Sequence, residues 1–113
     1  MKIENLIKKY IKLDAIHEVS NNEKDFYKFI KTYAELRLKL LNNETVTKIE
    51  HKVIIAAIKA GIKYANSYYG LGMSNTDIDK AVDEYTPEVL KGLRNLRINI
   101  FEKVLFQGKE VEI

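Results

Sequence analysis

The chain lacks cysteine and tryptophan, and its 113 residues include one proline, two histidines and five glycines. The absence of cysteine excludes disulfide frameworks, zinc ribbons and thiol nucleophiles, and it fits a reducing, cytoplasmic compartment. Long apolar runs are also missing, since the best stretch, residues 53–57, is bounded by Lys52 and Lys59. We therefore expect neither a membrane span nor a signal peptide.

Catalytic and metal-binding motifs are missing as well. His17 and His51 fall in separate predicted helices, and no motif supplies further ligands for a shared metal ion. The chain has no P-loop, no G-x-G-x-x-G and no Ser/His/Asp grouping. We expect a protein that is not an enzyme and that carries no cofactor and no metal.

The charge distribution is uneven along what we expect to be a single domain, residues 1–113. The net charge is +3, and all of it lies in residues 1–43. Within the neutral remainder, Asp77–Glu88 holds five acidic residues and one lysine, whereas Val89–Lys109 holds five basic residues and one acid. Any surface that binds DNA must therefore come from the second of these segments.

Two helices are predicted in residues 1–43. The first covers about residues 2–17, and Asn22 is suited to cap the second, which ends at Asn42. Apolar and aromatic side chains follow one stripe of the second helix: Phe26, Phe29, Ile30, Tyr33, Ala34, Arg37 and Leu41, with Leu40 beside it. Their spacing tracks burial, which favours a core or dimer interface over a stacking surface for bases.

A long central helix is predicted over about residues 48–67. Thr47 and Glu50 have the spacing of a capping box, and the middle of the segment is apolar around most of its circumference. The run Gly70-Leu71-Gly72 ends it.

The segment Ser74–Asn99 predicts two short helices separated by a tight turn. Ser74 and Asp77 suit the start of the first helix. The turn falls at residues 83–85, after which Thr86 can cap a second helix over residues 87–99, with Pro87 in its first position.

The second helix of this pair sorts into an apolar and a polar face. Val89, Leu93, Leu96 and Ile100 form the apolar face, whereas Glu88, Lys91, Asn95 and Asn99, flanked by Arg94, form the outer one. Cations and amides over a rigid apolar back are what a helix needs to read a major groove.

A β-hairpin is predicted at the end of the chain. A two-residue turn at Gln107-Gly108 pairs Phe106 with Lys109 and Val104 with Val111. The segment VLFQG resembles a picornaviral protease site, but Lys109 stands where such sites continue with proline, and the pairing register accounts for every residue. We interpret it as native.

Residues 48–113 resemble a winged helix-turn-helix domain of the kind common in bacterial, archaeal and viral regulators. Met73–Ile78 resembles the entry to the second helix of that family, and Thr86–Val89 resembles the start of its recognition helix. The resemblance implies a mainly α fold: a winged helix-turn-helix (44–113) with a C-terminal β-hairpin and two additional N-terminal helices (1–43) that support it or mediate dimerisation.

The leading hypothesis is a small sequence-specific protein that binds double-stranded DNA, a transcriptional regulator acting as a homodimer on two half-sites. The candidate DNA contacts are Thr86, Lys91, Arg94, Asn95, Asn99, Lys103 and Lys109. The alternative is a protein–protein interaction module of a virus or plasmid, an adaptor, antitoxin or inhibitor. The neutral charge of residues 44–113 and the acidic segment Asp77–Glu88 favour it. Asp83 and Glu84 also stand where the family's turn often carries glycine and an apolar residue, which fits a weak or selective DNA binder or a protein-binding domain.

Overall fold

The structure is a computed structural model that describes residues 2–42 and 48–101 and the backbone of residues 103–106 and 109–112. Its helices are α1 (Ile3–Ser20), α2 (Glu23–Leu41), α3 (His51–Tyr69) and α4 (Asn75–Asn95). The strands are β1 (Ile49–Glu50), β2 (Ile100–Phe101), β3 (Lys103–Phe106) and β4 (Lys109–Glu112). The prediction of a mainly helical protein is confirmed.

Helix α1 lies at the centre of the described core and packs against α2, α3 and α4. Apolar side chains recur at helical spacing along α1 and are buried: Ile3, Leu6, Ile7, Tyr10 and Ile11. Gly61 lets α3 approach α1 closely, since a Cβ atom added there would lie 2.5 Å from the carbonyl oxygen of Lys12. The N-terminal helices therefore supply part of the shared core.

Helix α2 begins as predicted but turns a different face inward. The Asn22 side chain accepts a hydrogen bond from the Lys24 N–H and caps the helix. The predicted stripe divides into two. Phe29, Tyr33 and Leu40 pack on the core, beside the fully buried Leu36, whereas the others are exposed: Phe26, Ile30, Ala34, Arg37 and Leu41.

Helix α3 begins later than predicted. Residues Ile49–Glu50 form β1, which pairs in parallel with β2, and the helix starts at His51. The Ile49 N–H donates to the Asn99 carbonyl oxygen, so this backbone group serves the strand pairing. Thr47 of the predicted capping box lies outside the described residues. Gly70, in the left-handed conformation, ends the helix as predicted.

Helix α4 contradicts the predicted helix-turn-helix. Ser74 and Asp77 form the expected capping box, but the helix then runs unbroken to Asn95, with Pro87 inside it. Residues 83–85 are helical, so the prediction of a turn there is wrong. The apolar stripe explains why: Ile78, Val82, Val89 and Leu93 recur at helical spacing on both sides of Pro87, and all are buried against the same core.

The end of α4 also corrects the predicted helix 87–99. Leu96 caps the helix, and Arg97 takes a left-handed conformation with φ of 60°. The Arg97 N–H donates to the carbonyl oxygen of Arg94, and the Ile98 N–H donates to that of Leu93, which together form a Schellman motif. Asn99 therefore lies beyond the helix, next to β2.

The predicted hairpin is confirmed in its backbone register. Strands β3 and β4 pair antiparallel, with Phe106 opposite Lys109 and Val104 opposite Val111. The turn residues Gln107 and Gly108 lie outside the described residues.

Candidate nucleic-acid interface

Four of the seven predicted DNA contacts are exposed near the C-terminal end of α4. They are Lys91, Arg94, Asn95 and Asn99. The first three lie within the last two turns of the helix, and Asn99 follows its Schellman motif. Because α4 is continuous, these residues lie at the end of a long helix and do not form a separate recognition helix.

The prediction that Thr86 contacts phosphate is wrong. Its side chain is 2% exposed, and its hydroxyl donates to the carbonyl oxygen of Val82. The side chains of Lys103 and Lys109 lie outside the described residues, although their backbones belong to β3 and β4. Contact between the hairpin and DNA stays a prediction.

A cleft of about 600 Å³ lies between the C-terminal ends of α2 and α4. Polar and apolar side chains line it: Arg37, Leu40, Leu41, Asn95, Leu96, Arg97 and Asn99. We call it the arginine cleft. Among the described residues, the lining holds two arginines and two asparagines and no acid, so these side chains offer cationic and amide donors to a bound anion.

The two arginines reach the cleft from different elements. Arg37 lies in the last turns of α2, where its Nη1 donates to the Tyr33 hydroxyl at 3.1 Å. Arg97 is exposed and follows α4 in its left-handed conformation. A non-glycine residue in this conformation costs roughly 1 kcal/mol or more, and such strain often marks functional positions.

The strand pair β1–β2 connects the arginine cleft to a second group of cations. Asn99 of the cleft is bonded through its carbonyl oxygen to Ile49, the neighbour of Lys48. The Lys48 ammonium lies 5.8 Å from the centre of the Phe101 ring. Lys48 also lines a surface depression together with Lys8 and Lys52, and Glu4 and Glu50 line the same depression. Cations therefore extend from the cleft across the strand pair, with these two acids among them.

The second group lines a groove of about 700 Å³ between α1 and α3. Lys8, Lys9, Lys12 and Lys52 form its rim, and Val53, Ala56 and Ala57 form its floor. We call it the lysine groove. Two of its charges already have partners, because Lys52 lies 3.1 Å from Glu50 and the Lys12 ammonium lies 5.4 Å from the Tyr64 ring centre.

The opposite end of α4 is unsuited to a polyanion. Its first turns carry Asp77, Asp79, Asp83 and Glu84, and Asp79 pairs with Lys59 at 3.3 Å. The Asp77 carboxylate accepts a hydrogen bond from the Ser74 N–H. Hydrogen bonding to the backbone and side chain of Ser74 lowers the pKa of this carboxyl. Along the helix axis, Asp77 lies about 21 Å from Lys91, whereas Glu84 lies about 10 Å from it.

Sequence reasoning missed a cluster on α1 formed by Asp14, His17 and Glu18. The His17 Nε2 lies 3.2 Å from an Asp14 oxygen and 3.6 Å from a Glu18 oxygen. Asp14 is buried, and this burial raises the pKa of its carboxyl to about 6. The signal in the sequence was the spacing D-x-x-H-E on a predicted helix, which sets all three side chains on one face.

Among the described residues, no helix is both long and apolar enough to cross a membrane. Comparisons of the chain with protein-family models, curated proteins and solved structures return no match.

Proposed function

We propose that this protein binds double-stranded DNA through a basic band, defined as the arginine cleft, Lys48 and the lysine groove. The observation that carries the proposal is the arginine cleft, in which Arg37 and Arg97 meet Asn95 and Asn99. Arginine forks suit phosphate oxygens, and asparagine amides suit both phosphates and base edges.

The basic band would contact DNA differently from a helix-turn-helix, which inserts a separate recognition helix into the major groove. Affinity comes from backbone phosphates that lie along the band, because such contacts supply most nonspecific binding. Asn95 and Asn99, with Lys91 and Arg94 beside them, are the contacts through which a regulator would select sequence. The β3–β4 hairpin follows β2 in the chain, and we propose Lys103 and Lys109 as further phosphate contacts of a wing.

The test is a titration of fluorescently labelled random-sequence duplex DNA with the protein at several salt concentrations. The double variant Arg37→Gln with Arg97→Gln removes two cations from the cleft. If both contact phosphate, the slope of log K against log salt decreases by about 2. The variant Lys91→Ala with Arg94→Ala tests the exposed face of α4 in the same way.

The matched control is Lys24→Gln with Lys28→Gln, which removes the same charge from exposed positions in the first half of α2. This control should leave the slope close to that of the parent. An equal decrease in both double variants would show that net charge alone governs binding, and would remove the arginine cleft from the proposal.

A second candidate function is docking of another protein, and the floor of the lysine groove favours it. Val53, Ala56 and Ala57 are small and apolar, so an amphipathic helix could lay its apolar face there and its acidic side chains against the lysine rim. Failure of the parent to bind heparin or random DNA at about 50 mM salt would favour this function, because nonspecific DNA binding is electrostatic.

A further inference from the structure

The cluster of Asp14, His17 and Glu18 places three metal-binding side chains on one turn of α1. One ligand atom from each lies within 4.8 Å of the others. The His17 Nε2 is the shared point, at 3.2 Å from Asp14 Oδ1 and 3.6 Å from Glu18 Oε1. These three residues differ from the DNA-binding candidates, so the cluster is independent of the proposed function.

We propose that Asp14, His17 and Glu18 form a binding site for a divalent transition-metal ion, with Zn²⁺ as the probe ion. Zinc bonds to histidine nitrogen and carboxylate oxygen measure about 2.0–2.2 Å, which sets neighbouring ligand atoms of a tetrahedral site about 3.3–3.6 Å apart. The two distances from the His17 Nε2 match this spacing, and an ion bound there would replace the hydrogen bond between His17 and Asp14.

The imidazole is held in place by its neighbours. Its ring stacks on Phe29, with centres 4.7 Å apart, and meets the ring of Phe26 edge-on at 5.4 Å. Asp14 is fixed by burial, since its side chain is 10% exposed. A ligand set that is already oriented loses less conformational entropy when the ion binds.

The charge of the site also favours a cation. Asp14 and Glu18 are two carboxylates beside a single imidazole, and Glu88 of α4 adds a third negative charge that acts on Asp14. A divalent ion would offset this repulsion. Glu88 is exposed and lies on a different helix, so a bond from its carboxylate to the ion would tie α4 to α1.

The ligand chemistry decides which ion fits. Imidazole nitrogen suits zinc, copper, nickel and iron, whereas magnesium and calcium prefer sites made of oxygen atoms alone. Three protein ligands leave a fourth tetrahedral position open for water or for Glu88. We therefore expect Zn²⁺ and Co²⁺ to bind, and Mg²⁺ not to compete with them.

The experiment is calorimetric titration of chelator-treated protein with ZnCl₂, together with visible absorption of its Co²⁺ complex. We expect one ion per chain and a Co²⁺ spectrum typical of tetrahedral coordination. Glu18→Gln and His17→Gln should each weaken binding at least tenfold, and Glu88→Gln should weaken it less. Asp79→Asn, which removes an exposed carboxylate elsewhere, is the matched control and should bind as the parent does.

A second measurement identifies the coordinating atom. In long-range proton–nitrogen NMR spectra, Zn²⁺ should shift the Nε2 resonance of His17 and leave the resonances of His51 in place. Folding of each variant is checked by circular dichroism. The proposal is overturned if the folded parent binds no Zn²⁺, or if His17→Gln binds it as tightly as the parent.

Discussion

The Thr86 hydroxyl donates a hydrogen bond to the carbonyl oxygen of Val82, 2.5 Å away, inside the unbroken helix α4. The bond runs back by one helical turn, a common arrangement for threonine within a helix. Pro87 follows without an N–H, so the Asp83 carbonyl loses its helical donor. Pro87 is exposed and Asp83 is half-buried, which leaves that carbonyl near solvent. The threonine and proline that resemble a helix start thus occupy a helix interior.

Replacement of Pro87 by alanine should therefore stabilise the protein. An interior proline is about 3 kcal/mol less favourable than alanine, and we expect an increase of about 2 kcal/mol in the free energy of unfolding. At the first position of a separate helix, proline is favoured and the same change would bring no gain. Urea denaturation measures the difference. Lys80→Ala, at an exposed position of α4, is the control and should change stability by less than about 0.5 kcal/mol.

Local signals in the sequence were sufficient where neighbouring residues decide the structure. Three predictions are confirmed because each depends on residues a few positions apart. They are the helix cap at Asn22, the capping box of Ser74 and Asp77, and the β3–β4 register. Val89 and Leu93 continue the apolar stripe of Ile78 and Val82, and this phase across Pro87 could have indicated one helix.

Contacts between distant segments determine the features that the sequence did not predict. The start of α3 depends on the pairing of Ile49 with Ile100, which no local pattern in either segment reveals. The arginine cleft likewise depends on the tertiary structure, which places Arg37 of α2 and Arg97 after α4 around one cleft. Asp14 and His17 were predictable as neighbours on a helix, but the burial of Asp14 depends on the tertiary structure.

Replacement of Arg97 by glycine should separate stability from binding. Glycine removes the cost of the left-handed conformation, so the free energy of unfolding should increase by about 1 kcal/mol. The same change deletes a cation from the arginine cleft and should weaken DNA binding. Asn21→Gly is the matched control, because Asn21 has φ of 49° at the end of α1 and lies outside the basic band.

We expect Asn21→Gly to leave DNA affinity unchanged and to shift stability by only a few tenths of a kcal/mol, since asparagine tolerates this conformation. Denaturation and DNA titration on both variants provide the comparison. Equal DNA affinity of Arg97→Gly and the parent would contradict a role for Arg97 in the cleft.

Replacement of Gly61 by alanine should destabilise the contact between α1 and α3. The added methyl would meet the Lys12 carbonyl oxygen at 2.5 Å and the Ala15 Cβ at 3.1 Å, so the helices would have to separate. We expect a loss of about 1–3 kcal/mol, although alanine is the better helix former. Ala60→Gly, at the exposed neighbouring position, measures the helix propensity alone and should cost about 1 kcal/mol. A gain in stability from Gly61→Ala would show that the two helices are packed less closely.

The outer face of α2 predicts where a homodimer would form. Tyr27, Ile30 and Ala34, which lie outside the arginine cleft, are exposed at spacings of three and four residues, as in the seam of paired helices. Ile30 is 43% exposed, so Ile30→Lys should fold normally while placing a charge in that seam. We expect light scattering to give a doubled mass for the parent and a single-chain mass for this variant.

Leu71→Lys, at a position 42% exposed in the loop between α3 and α4, is the control and should remain dimeric. A parent of single-chain mass, or an Ile30→Lys variant that dimerises as the parent does, would contradict this interface.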